Sequence, residues 1–189
     1  MVIKSKKILS EISAGELLDK ISILEIKLEK IKDKADQEEI NKEYKILKEV
    51  QNSSIEVTEK LKTLFKEIKE VNLNLWSIED KLRICEKNKD FGLTFVELAR
   101  GVYFNNDKRS KIKSKINEVT GSNIKEINLN LWNIEDKLRI CEKNKDFGQT
   151  FIELARGVYL NNDKRSKIKL EINNILDSNI REIKQYANY

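Results

Sequence analysis

Histidine and proline are absent from this chain, glycine occurs six times, cysteine twice and methionine once. The missing histidine excludes a Ser-His-Asp triad, a Cys-His pair, a histidine general base and the common histidine-containing zinc sites together. Without proline, and with so little glycine, the main helix breakers are gone, while Lys, Glu, Ile, Leu and Asn dominate what is left. No apolar run approaches the roughly 18 to 20 residues that span a bilayer, and the N-terminus lacks the apolar core of a secretory signal. The expectation is a cytoplasmic protein with no membrane association. Cys85 and Cys141 are equivalent positions of a repeat, so their number carries no disulfide framework and reduced, buried thiols are expected.

What remains is 39% hydrophobic and 37% charged, enough apolar material for one modest core or a short stack of helical units. The net charge of +5 arises from lysines interleaved with glutamates, the pattern of solvated helix faces with i, i+4 pairs. The densest basic stretches, "DKRSKIKSK" from Asp107 and "DKRSKIK" from Asp163, lack interleaved aromatics and any recognition motif, so nucleic acid is not the expected partner.

Two stretches, "LWSIEDKLRICEKNKDFG" from Leu75 and "LWNIEDKLRICEKNKDFG" from Leu131, differ by one letter. They belong to a repeat with a period of 56 residues, 68–123 and 124–179, about four-fifths identical and joined without a linker. Capping boxes mark helix starts at Ser13 with Glu16, Asp36 with Glu39, Ser53 with Glu56, Thr94 with Glu97 and Thr150 with Glu153. Apolar residues then fall three and four apart, as in Leu17, Ile21, Leu24, Leu28, Ile31 and in Val71, Leu75, Ile78, Leu82, Cys85. One helix is predicted to run from about Ser54 to Asn88. "NKDFG" turns the chain, with Gly92 and Gly148 suited to a left-handed helix end and Asp90 and Asp146 supporting the turn. No kinase motif accompanies this "DFG". "KKILSEI" before Ser13 reads as extended.

The predicted fold is all-α: an antiparallel helical bundle, or short stack of helical hairpins, with an internal tandem repeat. Residues 1–53 form an extended segment and a helix pair, 54–123 a long helix and the first hairpin, and 124–189 the second hairpin and tail.

Only seven of the 37 basic residues are arginines, and six of them sit in the repeats. A planar guanidinium serves bidentate or stacked contacts that an ammonium does not reproduce. Around them lie Glu79, Asp80, Glu86, Glu97 and Asp107, with Glu79 and Arg83, and Glu97 and Arg100, one turn apart. The buried stripe of the following helix, Phe95, Leu98 and Val102, passes through Asn105 or Asn106 and Arg109 before Ile112 and Ile116. Polar groups on a buried face demand partners. The candidate ligand-binding residues are therefore Trp76, Glu79, Arg83, Glu97, Arg100, Tyr103, Asn106, Asp107 and Arg109, with Trp132, Glu135, Arg139, Glu153, Arg156, Tyr159, Asn162, Asp163 and Arg165 in the second copy. One reading makes them an internal network that sets helix register. The other makes them a pocket for a phosphate or carboxylate metabolite. No catalytic residue, metal ligand or cofactor is implied.

Two helical enzyme types need no histidine. Glu16 and Asp19 in "GELLDKISILEIK" faintly match the ExxD carboxylates of all-α Mg²⁺-dependent nucleotide pyrophosphohydrolases, but the companion ExxE is unclear, and adjacent Glu79 and Asp80 point about 100° apart. Helical chorismate mutase clamps a dicarboxylate with arginines, but its motif order is not reproduced.

At "EISAGELLDKISILEIKLEKI" followed by "LWSIEDKLRICEKNKDFGLTFVELARGVYFNNDKRSKIK", the sequence resembles a family of short bacterial proteins of unknown function. Members end near a tail like "QYANY" at Gln185, and the likeness covers nearly the whole chain once one copy of the repeat is set aside. The resemblance implies a small helical cytoplasmic protein and names no activity. The expected function is that of a non-catalytic helical interaction or scaffold protein, acting through a protein partner or self-association and binding a small anion at an Arg-rich site in each repeat. The alternative is the pyrophosphohydrolase-like enzyme.

Overall fold

The structure is a computed structural model that describes residues 11–122 and 129–175, the latter without the side chains of 129–133, 165 and 175. Among the described residues six helices follow one another: α1 (Ala14–Lys30), α2 (Lys34–Ser54), α3 (Glu59–Asn88), α4 (Leu93–Thr120), α5 (Leu129–Asn144) and α6 (Gln149–Ile175). The described residues contain no strand, and the fold is an all-α bundle. No described helix is long and apolar enough to cross a membrane. Residues 1–10, most of the stretch expected to be extended, lie outside the description.

Helix starts follow local chemistry, with corrections to the sequence reading. Ser13 caps α1 by accepting from the Glu16 amide at 3.1 Å, as expected. Helix α2 instead starts at Asp33, which accepts from the Asp36 amide, so Asp36 lies in its first turn. Helix α3 starts at Thr58, and Ser53 lies in the last turn of α2. Gly92 is the cap of α4 and gives no side-chain bond, which puts Thr94 inside the helix. The left-handed positions at the ends of α3 and α5 belong to Lys89 and Lys145, with φ of 56° and 53°. Each donates its amide back to the preceding turn. Gly92 is extended and receives the carboxylate of Asp90 on its amide at 3.1 Å, as Gly148 receives Asp146. The aspartates thus support the turn as expected. The glycines serve its exit, where an Asp two residues upstream holds the backbone.

Helix α3, on the order of 45 Å long at 1.5 Å per residue, is used twice. Its first half offers Leu61, Leu64, Ile68 and Val71 to α1, and its second half offers Leu75, Leu82 and Cys85 to α4 and the α5–α6 hairpin, all buried. Helix α4 divides in the same way. Ala99, Val102 and Tyr103 turn toward α5–α6, while Ile112 and Ile116 lie under α1. The close crossing of α1 over α4 requires Gly15, because a Cβ there would come within 2.6 Å of the Lys113 carbonyl oxygen. The Gly15 amide donates to Asn117 Oδ1 at 2.7 Å, and Lys113 Nζ donates to Glu16 at 2.5 Å. Helix α2 covers α1 through a smaller cluster of Leu24, Ile31 and Ile40.

The same letters meet different fates at the two ends. Ile112 and Ile116 are 3% and 0% exposed, whereas Ile168 and Ile172, the residues 56 positions later, are 46% and 48% exposed. Among the described residues α6 has no helix lying over it as α1 lies over α4. Burial, not identity, sets the energetic weight of each pair. Ile116→Ala is therefore expected to cost about 2 to 5 kcal/mol of stability, and Ile172→Ala less than about 0.5 kcal/mol, measured by urea denaturation of the two single variants.

Candidate functional site

The polar residues singled out in the sequence converge where α3–α4 meets α5–α6. Arg100 and Tyr103 sit one turn apart on α4 and share a face. Both reach Glu142 of α5. The Arg100 guanidinium grips that carboxylate through Nε at 2.7 Å and Nη2 at 2.6 Å, and the Tyr103 hydroxyl donates to Glu142 Oε2. The mirror arrangement lies beside it. Arg156 of α6 holds Glu86 of α3 at 2.9 and 2.8 Å, and the Tyr159 hydroxyl donates to Glu86 at 2.6 Å. Each guanidinium also lies over a ring of the opposite hairpin, Arg100 at 5.1 Å from Phe147 and Arg156 at 5.0 Å from Phe91. Those rings are held edge-on by Phe151 and Phe95.

A second layer surrounds these clasps. Arg83 is buried and meets Glu79 at 3.1 Å, Asp80 at 3.2 Å and, across the interface, Asp163 at 3.6 Å. Arg139 meets Asp107 at 2.5 Å across the interface, Asp136 at 2.8 Å and Glu135 at 3.5 Å. Asn106 donates to the buried Glu135 at 2.9 Å. Between the hairpins Leu82, Tyr103, Leu138 and Tyr159 help enclose a void of about 10 Å³, no more than one water occupies.

These surroundings set the charges. Arg156, helped by Tyr159 and Lys89, holds the Glu86 carboxyl at about 2 against an ordinary 4.5. Glu142 is lowered by Arg100 and Tyr103. Burial, with the adjacent glutamate, pushes the Tyr103 and Tyr159 hydroxyls up, so both remain donors at neutral pH. Glu135 is raised, because burial outweighs the Asn106 bond.

Most of the predicted residues are brought together, with exceptions. Glu97 and Glu153 are exposed on the outer faces of α4 and α6, and Glu153 accepts from Gln149 at 2.9 Å. The expected Glu97–Arg100 pairing does not form; Arg100 turns inward to Glu142 instead. Trp76 and Asn162 are half-buried, and so is Arg109, whose charge acts on Glu135. The side chains of Trp132 and Arg165 lie outside the description. The carboxylates that hold the clasps, Glu86 and Glu142, are missing from the predicted set, as are Phe91 and Phe147. Helical spacing reveals neighbours on one helix, and these partners stand 42 and 70 residues away.

Glu16 and Asp19, the faint ExxD pair, are otherwise engaged. Lys113 holds Glu16, and Asn72 donates to the buried Asp19 at 2.7 Å and to Ser22 at 2.8 Å. Among the described residues no group of three or more acidic or sulfur side chains is placed to hold a metal ion.

The family model for a family of unknown function, DUF6165, matches residues 8–126. This chain is a DUF6165 protein. Its matched part contains all of α1–α4 and stops before α5. No curated protein matches the chain. No solved structure matches it either.

The lowered Glu86 carboxyl makes stability depend on pH with a definite sign. Folding favours its ionised form, so its contribution is complete above about pH 4.5 and is lost as pH falls to about 2. Glu142 acts in the same direction and Glu135 in the opposite one. Glu86→Gln is expected to lower the melting temperature at pH 7 and to lose less than the wild type between pH 4.5 and 2, followed by thermal denaturation in a pH series.

Proposed function

We propose that this DUF6165 protein is a non-catalytic helical interaction protein, and that its Arg-rich residues form a contact surface between hairpins. The observation that carries this reading is that Arg100 and Arg156 each close bidentately on a carboxylate of the chain itself. The apolar void between the hairpins holds no more than one water. The duplicated segment then acts as a pair of mutually binding hairpins, with an outer surface turned to another protein. On that surface Ile84 and Leu93 stay 51% and 74% exposed beside an open groove between α3 and α4.

A second reading has its own support. A guanidinium fork, a tyrosine hydroxyl and an underlying ring form a carboxylate-binding set. Arg100 and Arg156 keep about a third of their side chains exposed, so a small anionic metabolite competing with Glu142 or Glu86 would find the same donors. The Mg²⁺-dependent pyrophosphohydrolase reading has less support, since Lys113 and Asn72 already engage Glu16 and Asp19.

A thermal-shift screen of the purified protein against phosphates, nucleotides and small di- and tricarboxylates, with and without Mg²⁺, separates these readings. The interaction reading expects no shift above about 1 °C. A ligand at 100 times its dissociation constant adds about 2.7 kcal/mol, a rise of roughly 5 to 10 °C. Such a rise with a carboxylate supports the anion site, and one with a nucleotide and Mg²⁺ supports the enzyme.

A further inference from the structure

The two clasps between the hairpins read the same in both directions. Arg100 of the first holds Glu142 of the second, and Arg156 of the second holds Glu86 of the first. Each residue stands 56 positions from its counterpart. The tyrosines follow the same rule, as do the rings beneath the arginines. Arg83 faces Asp163 while Arg139 faces Asp107. A set in which residue i meets j, and the copy of i meets the copy of j, is the defining property of an isologous interface, the kind that joins identical subunits across a two-fold axis. None of these bonds depends on the two hairpins sharing one chain.

We propose that the face of α3–α4 bearing Arg83, Glu86, Arg100 and Tyr103 is self-complementary, that its partner is a second copy of the same hairpin, and that α5–α6 holds in this chain the place of a second subunit. The occupant is identified by what is already seated there, a hairpin of nearly the same sequence. The family match adds an independent argument. It ends at residue 126, so the unit shared by DUF6165 proteins carries this face without the hairpin that fills it here. Left uncovered, that unit would expose Leu82, Val102 and Tyr103, all buried in this chain, and would strip Glu86 of its arginine. Pairing two copies restores both clasps. In the duplicated chain the tether supplies the second hairpin at an effective concentration in the millimolar range, which favours closure within one molecule over pairing between two.

The proposal rests on the interaction reading in taking the arginine network as a contact surface. Its test measures mass, whereas a ligand found by thermal shift would change melting temperature, so the two fail separately.

The decisive variant is the full chain carrying Glu142→Arg and Arg156→Glu. Within one molecule both clasps then face like charges, Arg100 against the new arginine and Glu86 against the new glutamate. Between two molecules the unaltered first hairpins remain matched to each other, Arg100 to Glu86 and Glu86 to Arg100, and the altered second hairpins match each other as well. Light scattering is expected to give the wild type at the 22.2 kDa of one chain and the double variant at twice that mass. Adding Glu86→Arg and Arg100→Glu restores matching within the molecule and is expected to return the mass to a single chain. A double variant that keeps its helical circular dichroism and stays at one-chain mass overturns the proposal, as does a quadruple variant that remains dimeric or a wild type that is itself a dimer. If the double variant does not fold, Glu142→Ala with Arg156→Ala removes the clasps without repulsion. Its mass is expected to rise with concentration toward two chains, and a mass that stays at one chain at every concentration overturns the proposal.

Discussion

Two glutamates, each held by an arginine and a tyrosine from the opposite hairpin, decide how this chain closes. Taking a carboxylate out of water is costly, and the cost is met only where geometry is good and the remaining lone pairs are filled. Both conditions hold at Glu86 and Glu142. A planar fork supplies two parallel bonds and a hydroxyl a third, and an aromatic ring lies against the guanidinium. A lysine at either arginine position would keep the charge and lose the fork and the stacking. Two of the chain's seven arginines, Arg100 and Arg156, stand at these positions.

The apolar contacts depend on the same arrangement. Leu82, Ala99, Val102 and Tyr103 of one hairpin meet Leu138, Ala155, Val158 and Tyr159 of the other in one continuous core. Such contacts favour burial but are indifferent to small slips of one helix past another. The clasps supply register, because a shift by one residue turns a side chain on a helix by about 100° and would carry the arginine away from its glutamate. The long α3 joins this junction to the other end of the molecule, where α1 lies over α4 at Gly15.

The helices were legible in the sequence because periodicity and breaker scarcity both act locally. The stripes on α1 and α3 are the ones that become buried, apart from a partly exposed Leu28 and Ile78. Helix starts were less legible. Several Ser, Thr and Asp residues precede a Glu by three, and only tertiary placement decides which of them caps. The site was half legible. Arginine scarcity pointed to Arg83, Arg100, Arg139 and Arg156, while Asn106 on an otherwise apolar face pointed to a polar demand that Glu135 meets. The reciprocal glutamates were not legible. A sequence lists neighbours along one helix, where Glu97 stands near Arg100, but the pairing that forms was chosen by how two hairpins dock. Identity between positions also hid their inequality, since Ile116 and Ile172 look alike and only one has α1 above it.

The most direct measurement is a double-mutant cycle on Glu86 and Arg156, with stabilities of the wild type, Glu86→Ala, Arg156→Ala and the double variant taken from denaturant unfolding. If the clasp couples the hairpins, the two substitutions are non-additive by about 1 kcal/mol or more, the range for residues in direct contact. Additivity within about 0.3 kcal/mol would mean that the hairpins are held by apolar burial alone, and would contradict the account.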